Sequence, residues 1–348
     1  RRGPGRLVGL PGPHQPAWSR PMLSRLSSQQ YATAAVAALV LTVFSPCLAS
    51  CSTGVPAGNP RNHQLGNAPQ PQTPAQGQIG DAERKRLFEA EQVLIAHCMS
   101  ARGWTYRPIP WHPKEDDPAQ DPRHGDDVRL HRTAGYGLAA AWNRQTPSPN
   151  DSYVNSLSVK DRSRYSRALY GSPQRRLDAP LPNGEVTFIY VDGCTAQSEQ
   201  QLYGDLKEWL ITDTTVINLD IERDNRIGSA PAVARTSGAW SACMKSRGYH
   251  YPNPDAARNH AIEAYAHSSP ADTREPSRAE LAQSTADAEC DRQVGRARAF
   301  RALDKGYGDQ LARERAPQIR AYRELAARAL ANIRAHPTWT SHRRPTPL

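Results

Sequence analysis

Apolar residues recur at helical spacing through most of the chain, and only two short stretches alternate like strands. The first helical face is Leu87, Ala90, Leu94, Cys98 and Ala101, opened by Asp81 as N-cap with Glu83 in the first turn and stopped by Gly103. Trp104-Thr105-Tyr106 then alternates like a short strand. Residues 107–150 are rich in proline, charge and histidine without a clear period, and are expected to form a long surface loop with a short helix at Leu138 to Trp142. Helical spacing returns with Tyr153, Leu157, Tyr165 and Leu169, where Ser158 and Asp161 make a capping box with Asp in place of Glu and Gly171 ends the helix. Glu185 to Val191 is the best strand, turning at Asn183-Gly184.

Further helices are expected from Cys194 to Leu210, with Leu202, Leu206 and Trp209 on one side, across Thr215 to Arg226, and up to Gly248 with Val233, Trp240 and Cys243. Asn253-Pro254 starts another. One helix is expected from Pro276 through Cys290 to Leu303, and a last one from Asp309 to Ala335 that Pro317 kinks or restarts. The expected fold class is therefore mainly α.

The amino end reads as an address. Residues 1–21 precede Met22 and are expected to be upstream or non-native leader, a non-Met start codon being the alternative. From Met22 a single Arg25 precedes an apolar run from Ala32 to Phe44, too short for a membrane span of roughly 20 residues. Leu48-Ala49-Ser50-Cys51 resembles a lipobox, the recognition sequence of bacterial lipoproteins. That resemblance implies a signal peptide at 22–50, a diacylglyceryl group on Cys51, and an extracytoplasmic chain whose first partner is membrane lipid. An ordinary signal peptide cut near Ala49 or Ser50 and an uncut anchor are the alternatives. Residues 51–78, dense in Pro, Gly, Gln and Asn, are expected to be a disordered tether with a mean span of about 30 Å.

Aromatic residues make up only 7 %, while Ala and Arg are abundant, which favours helix. The formal charge of +10 falls to +5 once the five arginines of residues 1–50 are set aside. The excess gathers late: twelve Lys/Arg stand between Arg296 and Arg344 against Asp304, Asp309, Glu314 and Glu324. A basic face suits anionic lipid heads or acidic wall polymers, and a solvated helix face is the alternative. The extracytoplasmic address argues against nucleic acid.

The most specific internal feature is a repeat. Cys98-Met99-Ser100-Ala101-Arg102-Gly103-Trp104-Thr105-Tyr106 matches Cys243-Met244-Lys245-Ser246-Arg247-Gly248-Tyr249-His250-Tyr251. Each copy is expected to be a helix end, a glycine cap and a short strand whose Trp104 or Tyr249 folds back on the helix. Each is followed by one more cysteine, Cys194 and Cys290. Four cysteines allow three pairings, of which the repeat favours Cys98–Cys194 and Cys243–Cys290. Such bridges would each contribute about 4–5 kcal/mol in the chain-entropy picture. Lacking Cys-x-x-Cys spacing, a redox or zinc set is the weaker alternative. The expected units are 79–228 and 229–337, with a loose tail at 338–348.

These Cys-Met-x-x-Arg-Gly-aromatic units resemble those of uncharacterised secreted proteins and lipoproteins of actinomycetes. So do Asn150-x-x-Tyr153-x-x-x-Leu157, Ala168-Leu169-Tyr170-Gly171, Gly193-Cys194, Leu202-Tyr203-Gly204-Asp205 and Ala286-Asp287-Ala288-Glu289-Cys290. The resemblance spans roughly 80–335 and implies fold and address, with no catalytic residue and no cofactor.

Three sets of residues invite chemistry. His112, His124 and His131 stand near Glu115, Asp116, Asp117, Asp121, Asp126 and Asp127, a composition that suits a divalent metal but lacks His-x-x-x-His or EF-hand spacing. His97 precedes Cys98, yet a nucleophile needs a free thiolate. Trp104, Tyr106, Trp111, Trp142, Tyr190, Tyr249 and Tyr251 either line a sugar or peptide surface or pack around the helix ends. The reading these features favour is a non-enzymatic envelope module whose partner is an envelope protein or an anionic wall polymer. An extracytoplasmic hydrolase or metal-dependent enzyme using the 107–150 loop is the alternative.

Overall fold

The computed structural model describes residues 79–113, 116–144, 147–266 and 274–340; the expected leader, signal segment, Cys51 and tether lie outside the described residues, as does 341–348. Thirteen α-helices and one two-stranded hairpin are present among the described residues. In α1 (Asp81–Ala101) the cap is Gly80 rather than Asp81. Glu83 Oε2 accepts from the Gly80 N–H at 3.1 Å, and Asp81 stands in the first turn. Leu87, Ala90 and Leu94 enter the largest core, while Gln92, Val93, Ile95 and Met99 are also buried; Ala101 is exposed.

The stretch expected as a surface loop is instead a folded, half-buried segment. It holds two 3-10 turns, Pro118–Gln120 and Pro122–His124, then α2 (Val128–Ala134) and α3 (Leu138–Asn143). Its short turns conceal their period, and its buried positions include the polar Asp121, Arg123 and His131, which no apolar pattern reveals.

After it, α4 (Asp151–Ser156) and α5 (Val159–Tyr170) are separated at Leu157–Ser158. Ser158 caps α5 by accepting from the Asp161 N–H, while the Asp161 carboxylate accepts from the Ser158 hydroxyl rather than from its backbone, so the expected box is half formed. β1 (Arg176–Pro180) and β2 (Val186–Tyr190) pair antiparallel, Arg176 opposite Tyr190. β1 lacks the β-branched alternation that marks β2 and has no sequence signature. The expected helix from Cys194 to Leu210 breaks at Gly204 (φ +83) into α6 (Cys194–Tyr203) and α7 (Leu206–Ile217), the latter capped by Asp205. There follow α8 (Leu219–Ser229), α9 (Pro231–Ser246) and α10 (Pro254–Ala266), where Asn253 Oδ1 accepts from the Ala256 N–H at 2.9 Å. The expected Pro276–Leu303 helix breaks at Gly295 into α11 (Arg278–Val294) and α12 (Arg296–Glu314). Pro317 sits in the first turn of α13 (Ala316–Ala335) and so restarts the helix. The start of the tail expected to be loose, 338–340, instead belongs to a 3-10 turn, Pro337–Thr340, that seats Trp339 in the main core.

That core joins the two ends of the described chain. Leu87 and Leu94 of α1 meet Leu202 and Tyr203 of α6, Trp209 and Val216 of α7, and Ile319, Tyr322, Leu325, Leu330 and Ile333 of α13. Tyr203 stacks on Trp209, and Trp209 on Tyr322. A second cluster holds Trp240, Cys243, Met244, Ala257, Ala286 and Cys290. The two halves interleave, because α2 of the first packs on α11 of the second and α13 of the second packs on α1, α6 and α7 of the first.

Both bridges favoured by the repeat are present, Cys98–Cys194 and Cys243–Cys290. Both copies end their helix alike. Gly103 and Gly248 have φ of +78 and +88, and the next N–H, of Trp104 or Tyr249, returns to the carbonyl of Met99 or Met244 at 2.9 and 3.0 Å. The expected strands after these glycines are absent. The backbone there finds side chains instead: Thr105 N–H donates to Tyr153 Oη at 3.4 Å, and Arg107 exchanges bonds of 2.7 and 2.9 Å with the Asn150 amide.

Candidate functional site

The residues singled out for chemistry do not gather in one place. His112 is exposed, His124 half-buried and His131 buried, Asp116 and Asp127 are exposed, and Glu115 lies outside the described residues. Among the described residues no three His, Cys, Asp or Glu side chains converge as a metal group would. Cys98 is bridged, so His97 has no thiolate beside it. The aromatics are dispersed: Trp104 packs edge-on to Tyr165, Trp111 to Phe88, Trp142 leans on Tyr265, and Tyr106 donates to Gln92 at 2.9 Å. Tyr249 and Tyr251 pack on the second core, and Tyr190 on Phe188.

What the 116–143 segment does gather is an ion network. Arg123 is buried, and its guanidinium reaches Asp121 at 3.0 Å, Asp224 of α8 at 2.7 Å and Asp304 of α12 at 2.5 Å, over the ring of Phe300. Arg223 adds a second cation at 3.1 Å from both Asp224 and Asp304. Arg301 grips the Asp126 carboxylate at 2.9 and 2.8 Å, which holds Asp126 below the usual carboxylate range. Burial pushes Asp121 the other way, up.

A second buried polar set lies where α2 and α3 meet α11. Tyr136 donates from its hydroxyl to Asp287 at 2.9 Å and from its backbone to Glu280 at 2.9 Å, and Trp240 donates to the other Asp287 oxygen at 2.7 Å. Burial pushes Asp287 and Asp291 each up to about 6. His131 Nδ1 lies 2.9 Å from the Gly135 carbonyl, which assigns the proton to that nitrogen, and burial lowers its affinity for a second proton. Arg123, Asp224, Asp304 and the role of Asp287 escape sequence reasoning, since charges distant in the chain carry no period that would pair them.

The repeat arginines have a shared task. Arg102 donates to the Asp192 carbonyl at 3.0 and 3.1 Å, two residues before Cys194. Arg247 pairs with Glu289, one residue before Cys290. Each therefore grips the chain beside its own bridge. Gly193 is equally placed, because a Cβ there would stand 2.4 Å from the Tyr170 carbonyl carbon.

The surface has a shallow groove of about 570 Å³ lined by Leu177, Ala196, Gln197, Gln200, Leu206 and Lys207. Among the described residues no helix is long and apolar enough to cross a membrane. No protein-family model matches this chain, and neither a curated protein nor a solved structure matches it.

Proposed function

We propose that this chain is an exported cell-envelope lipoprotein, held at the extracytoplasmic face of a membrane by lipid on Cys51, whose helical domain works as a non-enzymatic binding or structural module. The observation that carries the reading is the pairing of Cys98 with Cys194 and Cys243 with Cys290. Bridges of this kind persist in oxidising compartments. They use four of the six cysteines, and Cys47 falls within the expected signal peptide, so Cys51 is left for the lipid. The engagement of Asp121, Arg123 and Asp126 in ion pairs supports a structural task for the segment that would otherwise carry catalysis. Its partner is then an envelope protein or an anionic wall polymer.

Cys51→Ala tests the address. In a bacterial host that processes lipoproteins, the variant is expected in the medium and the parent in the detergent phase of a detergent-partition assay. A Cys51→Ala chain that still enters the detergent phase overturns the lipid anchor.

A further inference from the structure

Some late basic residues are matched by carboxylates, while Arg298 and Arg313 of α12 and four arginines of α13 are exposed and form no ion pair among the described residues. Arg296, Arg301 and Arg315 are matched by Asp291, Asp126 and Glu222 across element boundaries, and Lys305 by Asp309 within its helix. Arg320, Arg323, Arg328 and Arg334 of α13 are exposed and meet no carboxylate among the described residues. At about 100° per residue, Arg320, Arg323 and Arg334 fall within roughly 60° of one another. The exposed residues between them are Ala327 and Ala331, and Glu324 is the one acid on this side. Arginine fits phosphate oxygens in a bidentate fork, and alanine lets such a face approach a flat surface closely.

The course of the chain says which surface. α13 packs on α1. The charges of Glu83 and Arg84, in the first turns of α1, reach Tyr322, the neighbour of Arg323. Ile79 rests against the same core. The described chain therefore begins against the core that α13 covers. In the lipoprotein reading, only the 27 residues between Cys51 and Ile79 separate the anchor from the fold, which keeps the domain within reach of the membrane.

We infer that the outer face of α13, through Arg320, Arg323, Arg328 and Arg334, lies on the anionic phospholipid headgroups of the membrane that holds the anchor. The inference rests on the lipoprotein reading, and its test does not use the lipid. The mature chain from residue 51 with Cys51→Ala is sedimented with vesicles of phosphatidylglycerol and phosphatidylcholine, or of phosphatidylcholine alone. Binding to the anionic vesicles only, weakening as salt rises, is expected. Each basic residue at such a surface is worth about fivefold in affinity, so Arg320→Gln/Arg323→Gln/Arg334→Gln weakens binding on the order of a hundredfold. Glutamine keeps the helix propensity of arginine, and an unchanged circular dichroism melt verifies the fold. The matched triple Lys160→Gln/Arg164→Gln/Arg167→Gln on α5 leaves binding within about twofold. Equal losses in the two triples, or no binding to anionic vesicles at low salt, overturn the inference. So does binding to soluble poly(glycerol phosphate) without binding to vesicles, which assigns the face to a wall polymer. A Cys51→Ala chain that stays on cells until salt strips it reports the α13 face, whereas one that still enters the detergent phase overturns the anchor alone.

Discussion

Asp287 is a carboxylate enclosed by hydroxyl and indole donors from two distant parts of the chain. With burial raising it to about 6, the folded state binds a proton between roughly pH 4 and 6 that the unfolded chain has already lost. Its contribution to stability is therefore present at low pH and is lost as pH rises through 6. His131 acts in the opposite sense: burial keeps it neutral, so stability is lost as pH falls below its ordinary range. A comparison with Asp287→Asn separates the two, because the variant retains His131. The parent's stability margin over the variant is expected to grow by about 1 kcal/mol between pH 7 and pH 5. Denaturant titrations at both pH values measure it, and a margin that shrinks contradicts the protonated carboxyl. At this scale the sequence was partly legible. The cysteine pairs and the two glycine stops follow from local repetition. Asp287 was visible only as part of a motif, since its donors lie at Tyr136 and Trp240.

Elements were legible where their ends carry local chemistry. Ser158, Asn253 and Pro317 mark helix starts because a side-chain oxygen or a fixed φ acts within one turn. Gly204 and Gly295 stop helices that the apolar spacing alone continues, since a glycine stop and a tolerated interior glycine look alike when that spacing runs on both sides. The 116–143 segment was read as solvated because its buried surface is built from charge. Arg123 is the bolt that fixes it to α8 and α12. Arg123→Met would leave Asp121, Asp224 and Asp304 facing one another with Arg223 as their remaining cation. Breaking such a buried set from one side costs about 3–5 kcal/mol, which chemical unfolding should register as a lowered midpoint. Replacing Arg123 and Asp224 together by apolar residues should cost less than the single change, the opposite of what additive losses would give.

For the whole molecule, composition and periodicity gave the mainly helical class, while the interleaving of the halves left no trace in either. Hydrophobic faces specify that a helix is covered and not by which helix. α13 completes a core begun by α1, and α2 docks on α11, so the first half does not close its main core without the second. The described domain should accordingly unfold in one transition, with calorimetric and van't Hoff enthalpies equal. Removal of either bridge should lower that transition by an amount corresponding to about 4–5 kcal/mol and leave it single. Two resolved transitions would show that the halves are independent.

Trp339 seats itself in the same core as Leu87, at the opposite end of the described chain. Synthesis runs from the amino end, so the apolar side of α1 emerges long before its cover exists. α6 and α7 bring part of that cover midway, and the rest waits for α13 and the last described turn. Such long-range closure slows folding and leaves a sticky nascent stage that a holding factor, or passage across a membrane in unfolded form, would protect. A premature stop codon just before α13 would then leave the apolar sides of α1, α6 and α7 uncovered rather than merely trim an end.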